Sequence, residues 1–496
     1  MWRTLPALLA VALAAVAMFP ITRSYFHFDD FVHLYDAVND SALTFILKST
    51  GGHLYLTRNV VFLAAHALFG TEPAPYMWMA FLTHLLNVLL LYWVTREMTG
   101  NVWLACFAAA LWGTHPLNEG AAGWYSVYGH VLAVTFILWV LLQVARVANG
   151  RPCGRLAPWL WGLALIGAGS SFGVGIGMSG AMPVVARLLL PPGPARRRIV
   201  LAFAGAVVAV VVLYLQVEAW NIAHYGGFPS SAMATGDLTS RLRMLRFTAN
   251  LLGVGIPSLL IGAPFLPDQY PSPLAWGVVA LFAVALGAAL LRASWAGRRQ
   301  LVAALLLCAA AYFMIAAGRS LFAADPHLAV ILIRSSRYHY AAPVGLALAS
   351  ALILGWLGRG AWLRQPAVRS ALLAGWVAAL AVGYVAVPRQ INAHDHQRKE
   401  VARIQAKVRD AVAAAAPGAD VYIDNGPFFI SPIGGFVFPG EAGVFVIYFP
   451  ENRVDGRRVY FVEADANVRD DAAGGRRSGA LLVDPEARPP AAAAAS

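Results

Sequence analysis

Long apolar segments, separated by short loops that carry arginine, recur along most of this 496-residue sequence. Uncharged runs such as Leu5 to Ile21, Ile199 to Val217 and Leu274 to Leu291 are each long enough to form a helix that crosses a bilayer. Only 12% of the residues are charged and 59% are hydrophobic, whereas soluble domains carry about 25% charged residues. The sequence therefore predicts an α-helical polytopic membrane protein and excludes an ordinary soluble domain.

The distribution of arginine predicts how the segments cross the membrane. Arg3 precedes the first segment, which places the N-terminus in the cytoplasm, and the run from Arg196 to Arg198 marks another cytoplasmic loop. The remaining segments alternate to give about eleven spans, ending with Ala371 to Val387 and a C-terminus outside. On this count the piece from Leu251 to Leu260 does not span and is predicted to be re-entrant or interfacial. The formal net charge of +12 follows from these loops, which meet lipid headgroups, so nucleic acid is not the expected partner.

The composition changes along the chain and predicts three regions. Residues 1–390 form the transmembrane domain, whose first outer loop, residues 22–75, carries two interfacial helices. Residues 391–487 form a small extracytoplasmic α/β domain, and the Pro/Ala-rich end at 488–496 is a disordered tail. The α/β domain opens with a polar helix at 391–415 and continues with four short strands, at Val421 to Ile423, Phe436 to Phe438, Val444 to Phe449 and Val459 to Val462.

An acidic pair stands where the chain leaves the first span. Asp29 and Asp30 follow His27 and Phe28 directly, and carboxylates near hydrocarbon persist mostly where they do chemistry or bind a ligand. The alternative is that Asp30 caps a helix beginning at Phe31, which leaves Asp29 unexplained. Asp29 and Asp30, together with His33, are also candidates for part of a metal site, although such a histidine is more often a hydrogen-bonding group at the interface.

Several arginines lie in loops that the topology puts outside, against the usual cytoplasmic bias of arginine. Arg337 belongs to the run Arg334-Ser335-Ser336-Arg337-Tyr338-His339-Tyr340, where an outer loop enters a span. A guanidinium group binds phosphate oxygens bidentately, and tyrosines suit the membrane interface. The alternative is an interfacial anchor that reaches lipid headgroups. An outer face with carboxylates and arginines favours group transfer from a phospholipid-like donor.

Four blocks of sequence follow one another in the predicted membrane domain. They are Asp29-Asp30; Leu56-Thr57-Arg58 to Leu68-Phe69-Gly70 with Tyr76 and Leu82-Thr83-His84-Leu85-Leu86-Asn87; Thr114-His115-Pro116-Leu117-Asn118-Glu119 with Trp124; and Arg337-Tyr338-His339-Tyr340-Ala341-Ala342-Pro343. In this order they resemble motifs of the GT-C superfamily of polytopic glycosyltransferases, nearest to bacterial relatives of the protein O-mannosyltransferases and of the transmembrane-TPR mannosyltransferases. The resemblance covers residues 1–390 and does not extend to the C-terminal domain.

The resemblance implies a multi-pass enzyme of the bacterial inner membrane that transfers a sugar, with inversion, from a polyprenyl-phosphate donor to an acceptor on the outer face. Besides the donor, membrane lipids are its expected partners, and the acceptor is a glycan, a lipid or a protein. No cofactor is required, although a divalent cation is compatible with the chemistry. The implied catalytic residues are Asp29 as general base, Asp30 to orient it or hold a cation, and Glu119 and His115 across the cavity. The implied donor-phosphate residues are Arg337, Arg58, Tyr338 and Tyr340.

Two departures from the family pattern keep other hypotheses open. The chain has Asn59 where the family often has proline after the arginine, and Ser171-Phe172-Gly173 where it often has Lys-Glu. The second departure is compatible with an altered donor preference or with a catalytically altered scaffold. A third hypothesis, a transporter or flippase for lipid-linked sugars, predicts charged residues midway through broken spans. The notable charges here lie at the outer ends of spans, which favours the enzyme.

Overall fold

The computed structural model of the chain is mostly helical. It describes residues 4–26, 29–49, 52–226, 237–261, 273–320, 324, 326–358, 406, 410, 413–416, 418–423, 435–438, 443–446, 451–454, 457–461 and 481–483. His27 and Phe28, the predicted last span Ala371 to Val387, most of the predicted polar helix at 391–415 and the predicted tail at 488–496 lie outside these residues.

Sixteen α-helices are present in the described part of the chain, and short 3-10 turns connect several of them. The turns that matter for the site are Phe19–Arg23, Pro116–Asn118, Tyr125–Val127 and Ser336–His339. The helices are α1 (Leu5–Met18), α2 (Asp29–Asn39), α3 (Ala42–Leu47), α4 (Leu56–Phe69), α5 (Pro73–Thr99), α6 (Val102–Gly113), α7 (Glu119–Ala122), α8 (Gly129–Ala148), α9 (Ala157–Gly169), α10 (Gly173–Leu189), α11 (Pro194–Tyr225), α12 (Leu238–Ile261), α13 (Pro273–Arg292), α14 (Trp295–Arg319), α15 (Pro326–Arg334) and α16 (Ala342–Leu357).

Eight helical segments of the described chain are long and apolar enough to cross a membrane, which agrees with the predicted helical membrane class. They contain α1, α5, α8, α11, α12, α13, α14 and α16. Three of the predicted spans, corresponding to α6, α9 and α10, are shorter apolar helices. Three helices, α2, α3 and α4, lie in the predicted first outer loop, where two interfacial helices were predicted. The first predicted helix is divided into α2 and α3, because Ser41 caps the start of α3.

The second half of the predicted outer loop at 218–270 differs from the prediction. One continuous helix, α12, includes the short piece predicted from Leu251 to Leu260 and is itself long and apolar enough to span. Its C-terminal end lies at the level of the loop after α6, because Nε2 of His115 donates a hydrogen bond to the carbonyl oxygen of Ser258 at 2.8 Å. The sequence pattern failed to extend this helix backwards because Arg241, Arg243 and Arg246 interrupt the apolar run.

The bundle is built around α16. In the segment that contains it, 78% of the apolar window is buried, against 17% for α13 and 28% for α11, which lie at the periphery. Helix α16 packs against α14 and α6, and α5 packs against both α6 and α8. The first turn of α16 therefore lies among the ends of several helices, and the turn Ser336–His339 that precedes it is held at one end of the bundle.

Residues that the topology prediction assigns to one side of the membrane lie together. At one end, Nη2 of Arg299 donates hydrogen bonds to the carbonyl oxygens of Arg187 (3.0 Å) and Leu190 (3.2 Å). Glu97 forms an ion pair with Arg151 at the predicted cytoplasmic side, with 2.9 Å between Oε1 and Nη2. The opposite end holds the first outer loop and the turn before α16. The structure thus agrees with the predicted grouping of these loops, while the direction of the membrane stays a prediction.

Six short strands occur in the described C-terminal residues. Strand β1 (Asp420–Ile423) pairs in parallel with both β5 (Arg457–Phe461) and β6 (Leu481–Val483), and β4 (Glu451–Val454) pairs antiparallel with β5. Strands β2 (Gly435–Phe438) and β3 (Gly443–Val446) form an antiparallel pair that lies against α2. All four predicted strand positions contain strand, whereas β4 and β6 were not predicted. That residues 391–487 form a separate outer domain stays a prediction.

Candidate active site

Asp29 and Asp30 occupy the first turn of α2, so the helix begins two residues earlier than the capping alternative assumed. Asp30 is fully buried, and its Oδ1 accepts hydrogen bonds from the backbone nitrogen of Ser126 (2.5 Å) and from its Oγ (2.7 Å). Ser126 belongs to the turn that leads into α8. Asp30 therefore fixes the start of α2 against α8, and Asp29 is held in a defined position beside it.

Asp29 faces a group of arginines. Burial raises the pKa of its carboxyl group above the ordinary value of 3.8, while the positive charges of Arg337, Arg58 and Arg319 act in the opposite direction. Desolvation makes a carboxylate a stronger base, and nearby cations keep it ionised. A carboxylate in this environment can accept a proton from a bound hydroxyl group, and the role of Asp29 as base stays a prediction.

Arg58, in the first turn of α4, is a buried cation. Its Nη2 donates a hydrogen bond to Nε2 of His33 at 2.8 Å, and its guanidinium group lies over the ring of Tyr55 at 4.2 Å. Its Nε and Nη1 have no hydrogen-bond partner in the described part of the chain, and only 1% of the residue is exposed. Because leaving a charged donor unpaired costs more than the ~1–3 kcal/mol of a neutral group, this geometry is that of a site for an anion.

Arg337 and Arg319 converge on one tyrosine. The hydroxyl oxygen of Tyr338 accepts a hydrogen bond from Nε of Arg319 at 2.8 Å and a longer one from Nη2 of Arg337 at 3.4 Å. The guanidinium group of Arg337 also lies over the ring of Trp124, 4.7 Å from its centre. Arg319, at the end of α14, donates to Nε2 of His53 at 3.1 Å. Two cations from different helices are thereby held beside one another.

His53 is in the loop before α4 and is held neutral. Burial lowers its pKa well below the ordinary value of 6.5, and the positive charge of Arg319 adds to the effect. Because Nε2 accepts from Arg319, the proton of the neutral ring lies on Nδ1. His53 therefore adds no charge, and it orients the guanidinium group of Arg319. We call the group formed by Asp29, Arg58, Arg319 and Arg337 the arginine cluster.

The turn that carries Arg337 packs tightly against α7. A side chain at Gly120 would collide with Ser336 and with the backbone nitrogen of Arg337. Glu119, which precedes Gly120, is itself buried, with 2% of the residue exposed. The contact brings the residue after Glu119 against the backbone of Arg337, and the role of Glu119 stays a prediction.

Two predicted site residues make contacts within the protein. His115 is 4% exposed; its Nε2 donates to the carbonyl oxygen of Ser258, and its Nδ1 accepts from the backbone nitrogen of Leu117 at 3.3 Å. The hydroxyl group of Tyr340 lies 3.0 Å from Nδ1 of His84 and accepts from Nδ2 of Asn87 at 3.2 Å. Both residues therefore connect neighbouring segments through hydrogen bonds. Neither makes a hydrogen bond or ring contact with the arginine cluster in the described part of the chain.

The metal candidates do not converge in the described residues. His33 uses Nε2 to accept from Arg58, and burial lowers its pKa well below 6.5, with Arg58 as the next cause. Asp30 is bonded to Ser126. No group of three or more histidine, cysteine, aspartate or glutamate residues in the described part of the chain is placed to hold a metal ion.

Both departures from the family pattern have structural partners. Nδ2 of Asn59 donates to the carbonyl oxygens of Phe45 (2.7 Å), Ile46 (3.3 Å) and Lys48 (3.1 Å), so it closes the end of α3. Phe172 lies against the ring of His53, with 4.5 Å between ring centres. The second departure therefore lines the site itself.

Sequence reasoning missed several residues of this site. Arg319, His53 and His130 were given no role, and Phe172 was noted only as part of a departure from the family pattern. Their sequence separation hides the cluster, because they lie on α14, in the loop before α4, on α8 and at the start of α10. The available signal was the position of Arg319 at the predicted outer end of a span, with no acidic residue next to it in the sequence.

No protein-family model and no curated protein matches the chain, but solved structures do. It is similar to the oligosaccharyltransferase of Archaeoglobus fulgidus tethered with an acceptor peptide containing the NVT sequon, at 15% identity and a TM-score of 0.44, over 85% of this chain and 61% of that one. It is similar to AglB from the same organism in complex with an inhibitory peptide and a dolichol-phosphate, at 14% identity and a TM-score of 0.38, over 86% of this chain and 62% of that one.

A third similarity is to ArnT from Cupriavidus metallidurans bound to undecaprenyl phosphate, at 15% identity and a TM-score of 0.35, over 88% of this chain and 87% of that one. The chain covers 61% of the length of the archaeal oligosaccharyltransferase, about three fifths.

Proposed function

We propose that this protein is an inverting glycosyltransferase that moves a sugar from a polyprenyl-phosphate donor to an acceptor on the extracytoplasmic face of the membrane. The observation that carries the proposal is the arginine cluster, in which one carboxylate, Asp29, faces three arginines at one end of an apolar helical bundle. A cationic site beside hydrocarbon suits a ligand that joins a phosphate to a lipid chain.

The proposed reaction is a single displacement at the anomeric carbon of the donor. The acceptor oxygen forms a bond to this carbon as its proton passes to the carboxylate of Asp29. The bond between the anomeric carbon and the phosphate oxygen breaks, and the electron pair leaves with the polyprenyl phosphate. One carboxylate acting as base, with attack opposite the leaving group, accounts for inversion.

The arginines have the complementary role in this proposal. The leaving phosphate gains negative charge as the sugar departs, and fixed cations stabilise that charge more in the transition state than in the ground state. Arg337 and Arg319, held by Tyr338, and Arg58, with two unpaired nitrogens, are the groups available for it. No step requires a metal, because a phosphate monoester is an adequate leaving group without one.

The proposal is tested by offering purified protein in lipid nanodiscs a panel of undecaprenyl-phosphate sugars and measuring sugar release or transfer. Turnover of at least one donor supports an enzyme. Vectorial movement of the donor in proteoliposomes without any sugar release would favour the transporter hypothesis, and donor binding without release or movement would favour the catalytically altered scaffold.

A further inference from the structure

His130, in the first turn of α8, has an unusual environment for a buried histidine. It is 1% exposed, and neither Nδ1 nor Nε2 has a hydrogen-bond partner in the described part of the chain. The other buried histidines of the described chain all use at least one ring nitrogen; they are His33, His84, His115 and His339. A buried polar group without a partner destabilises the ligand-free protein, so its retention calls for an explanation.

The position of His130 is fixed by close packing. A side chain at the preceding residue, Gly129, would collide with the carbonyl oxygen of Ser171, so the start of α8 is pressed against the turn before α10. Phe172 in that turn lies on the His130 ring, with 4.0 Å between ring centres and 37° between the planes. The ring therefore cannot move away without repacking Phe172.

His130 also borders the arginine cluster. The charges of Arg337 and Arg319 act on its ring. Phe172, itself 5% exposed, joins His130 to His53 and Tyr55 through ring contacts, and its ring centre lies 4.5 Å from that of His53 and 5.3 Å from that of Tyr55. Because Arg319 donates to His53, whose ring lies against Phe172, a phosphate bound by Arg337 and Arg319 would hold the group that it carries beside these rings. An apolar ring beside an imidazole, which can both donate and accept, matches a sugar, with its apolar face and its hydroxyl groups.

We propose that His130 hydrogen-bonds a hydroxyl group of the donor sugar, and that Phe172 is the platform against which the sugar ring packs. This proposal rests on the proposed function, because it takes the ligand to be a polyprenyl-phosphate sugar. It makes His130 and Phe172 residues that determine donor specificity, and it selects pyranoses with a free hydroxyl group at the contacted position. The phenylalanine that departs from the family pattern at 172 is then part of the recognition surface.

The decisive variant is His130→Phe, which keeps a ring against Phe172 and removes both nitrogens. Because those nitrogens have no partner in the ligand-free protein, we expect the melting temperature without ligand to stay unchanged or to rise. We expect affinity for bare undecaprenyl phosphate to change by less than about twofold, and affinity for the preferred undecaprenyl-phosphate hexose to fall about 10- to 100-fold. His224→Phe is the matched control, since His224 is exposed on α11 and stacks on Trp220.

A panel of monodeoxy donors completes the test. Wild-type protein should bind one deoxy analogue about 10-fold or more weakly than the parent hexose donor, and His130→Phe should bind the two equally. Binding is measured without acceptor, so failure of sugar transfer leaves this readout intact. The proposal is overturned if bare and glycosylated lipids lose affinity equally in His130→Phe, if the ligand-free variant is destabilised, or if no sugar strengthens wild-type binding over the bare lipid.

Discussion

At the residue scale, Asp29 and Asp30 share one sequence motif and have separate environments. Ser126 binds the carboxylate of Asp30 through two hydrogen bonds, whereas Asp29 is held among arginine charges. A carboxylate already saturated by strong donors is a poor proton acceptor. The division favours Asp29 as base and Asp30 as the residue that positions it.

Asp29→Asn should reduce transfer by at least ~100-fold while donor binding persists, because the amide keeps the size of the side chain and cannot accept the proton. A raised carboxyl pKa means that ionised Asp29 opposes folding above its unfolded pKa, so the variant should be as stable as wild type or more stable at neutral pH. Turnover and thermal unfolding in matched nanodiscs check both statements. Wild-type turnover in the folded variant would remove Asp29 from the mechanism, and inactivity of Asp30→Asn with active Asp29→Asn would exchange their roles.

The pH dependence follows from the same shift. Transfer requires ionised Asp29, so kcat/KM should fall as pH decreases through the pKa of this group, which burial holds above 3.8. The acidic limb should disappear from the residual activity of Asp29→Asn. A limb that is identical in the variant would assign the titration to another group.

Arg337→Lys separates a phosphate site from a membrane anchor. Lysine reaches headgroups as well as arginine does but lacks the fork that binds two phosphate oxygens. We expect turnover to fall by an amount equivalent to ~2–4 kcal/mol in the transition state, together with weaker donor binding. Arg246→Lys, at an exposed position of α12, is the control. Equal activity of Arg337→Lys and wild type would leave Arg337 as an anchor.

At the element scale, the site depends on how closely short turns approach α2 and α7. The turn Tyr125–Val127 binds Asp30, and the turn Ser336–His339 presses on Gly120. A third contact joins the backbone nitrogen of Thr57 to the carbonyl oxygen of Ser170 at 2.9 Å, and their hydroxyl groups lie 2.7 Å apart. These contacts bring together the segments that contain Asp29, Arg58 and Arg337, which are far apart in the sequence.

Gly120→Ala tests this dependence. The new methyl group would meet Ser336 and the backbone of Arg337, so the turn must shift away from α7. We expect turnover to fall ~10-fold or more, with a loss of stability of ~1–3 kcal/mol, the usual scale for an overpacked site. Gly205→Ala, in α11, has open space around the new atom and should be neutral or slightly stabilising. Normal activity in Gly120→Ala would show that the turn can move without consequence.

At the scale of the whole molecule, the contacts among the predicted cytoplasmic loops and the arginine cluster lie at different ends of the bundle. Arg299, Arg187 and Leu190 meet at one end, and the arginine cluster lies at the other. Such separation is required if the donor enters from the membrane and the acceptor from the outer aqueous phase. The hydrogen bond from Arg299 to Arg187 joins loops that are 112 residues apart in the sequence, so these two loops lie on the same side of the bundle.

The membrane orientation is checked by cysteine labelling of intact cells. A cysteine at Arg298 or Arg197 should be protected from an impermeant reagent, whereas one in the outer loop, at Glu72, should react. Cys153 must first be replaced, because it is partly exposed, while Cys106 and Cys308 are buried. Labelling of Arg298→Cys from outside would overturn the predicted span count.

The sequence by itself determined the class of the protein and much of its helix pattern, because apolar length and arginine placement act locally along the chain. It located Asp29 and Arg337 as candidates, since charge beside hydrocarbon is costly wherever the chain later folds, and Arg58 through the family resemblance. It also predicted the strands near Val421 and Val459, because short runs of strand-forming residues are likewise a local signal.

Only the tertiary structure decided which candidates meet. His115 and Tyr340 lie in the same motifs as Glu119 and Arg337, yet their polar atoms bind neighbouring helices. His130 and Arg319 carry no motif, yet they border the site, because α8 begins and α14 ends beside it. The rotation of a helix about its axis decides which neighbours a side chain meets, and packing between helices that are distant in sequence sets that rotation. No local pattern could therefore distinguish a residue that hydrogen-bonds a neighbouring helix from one left without a partner.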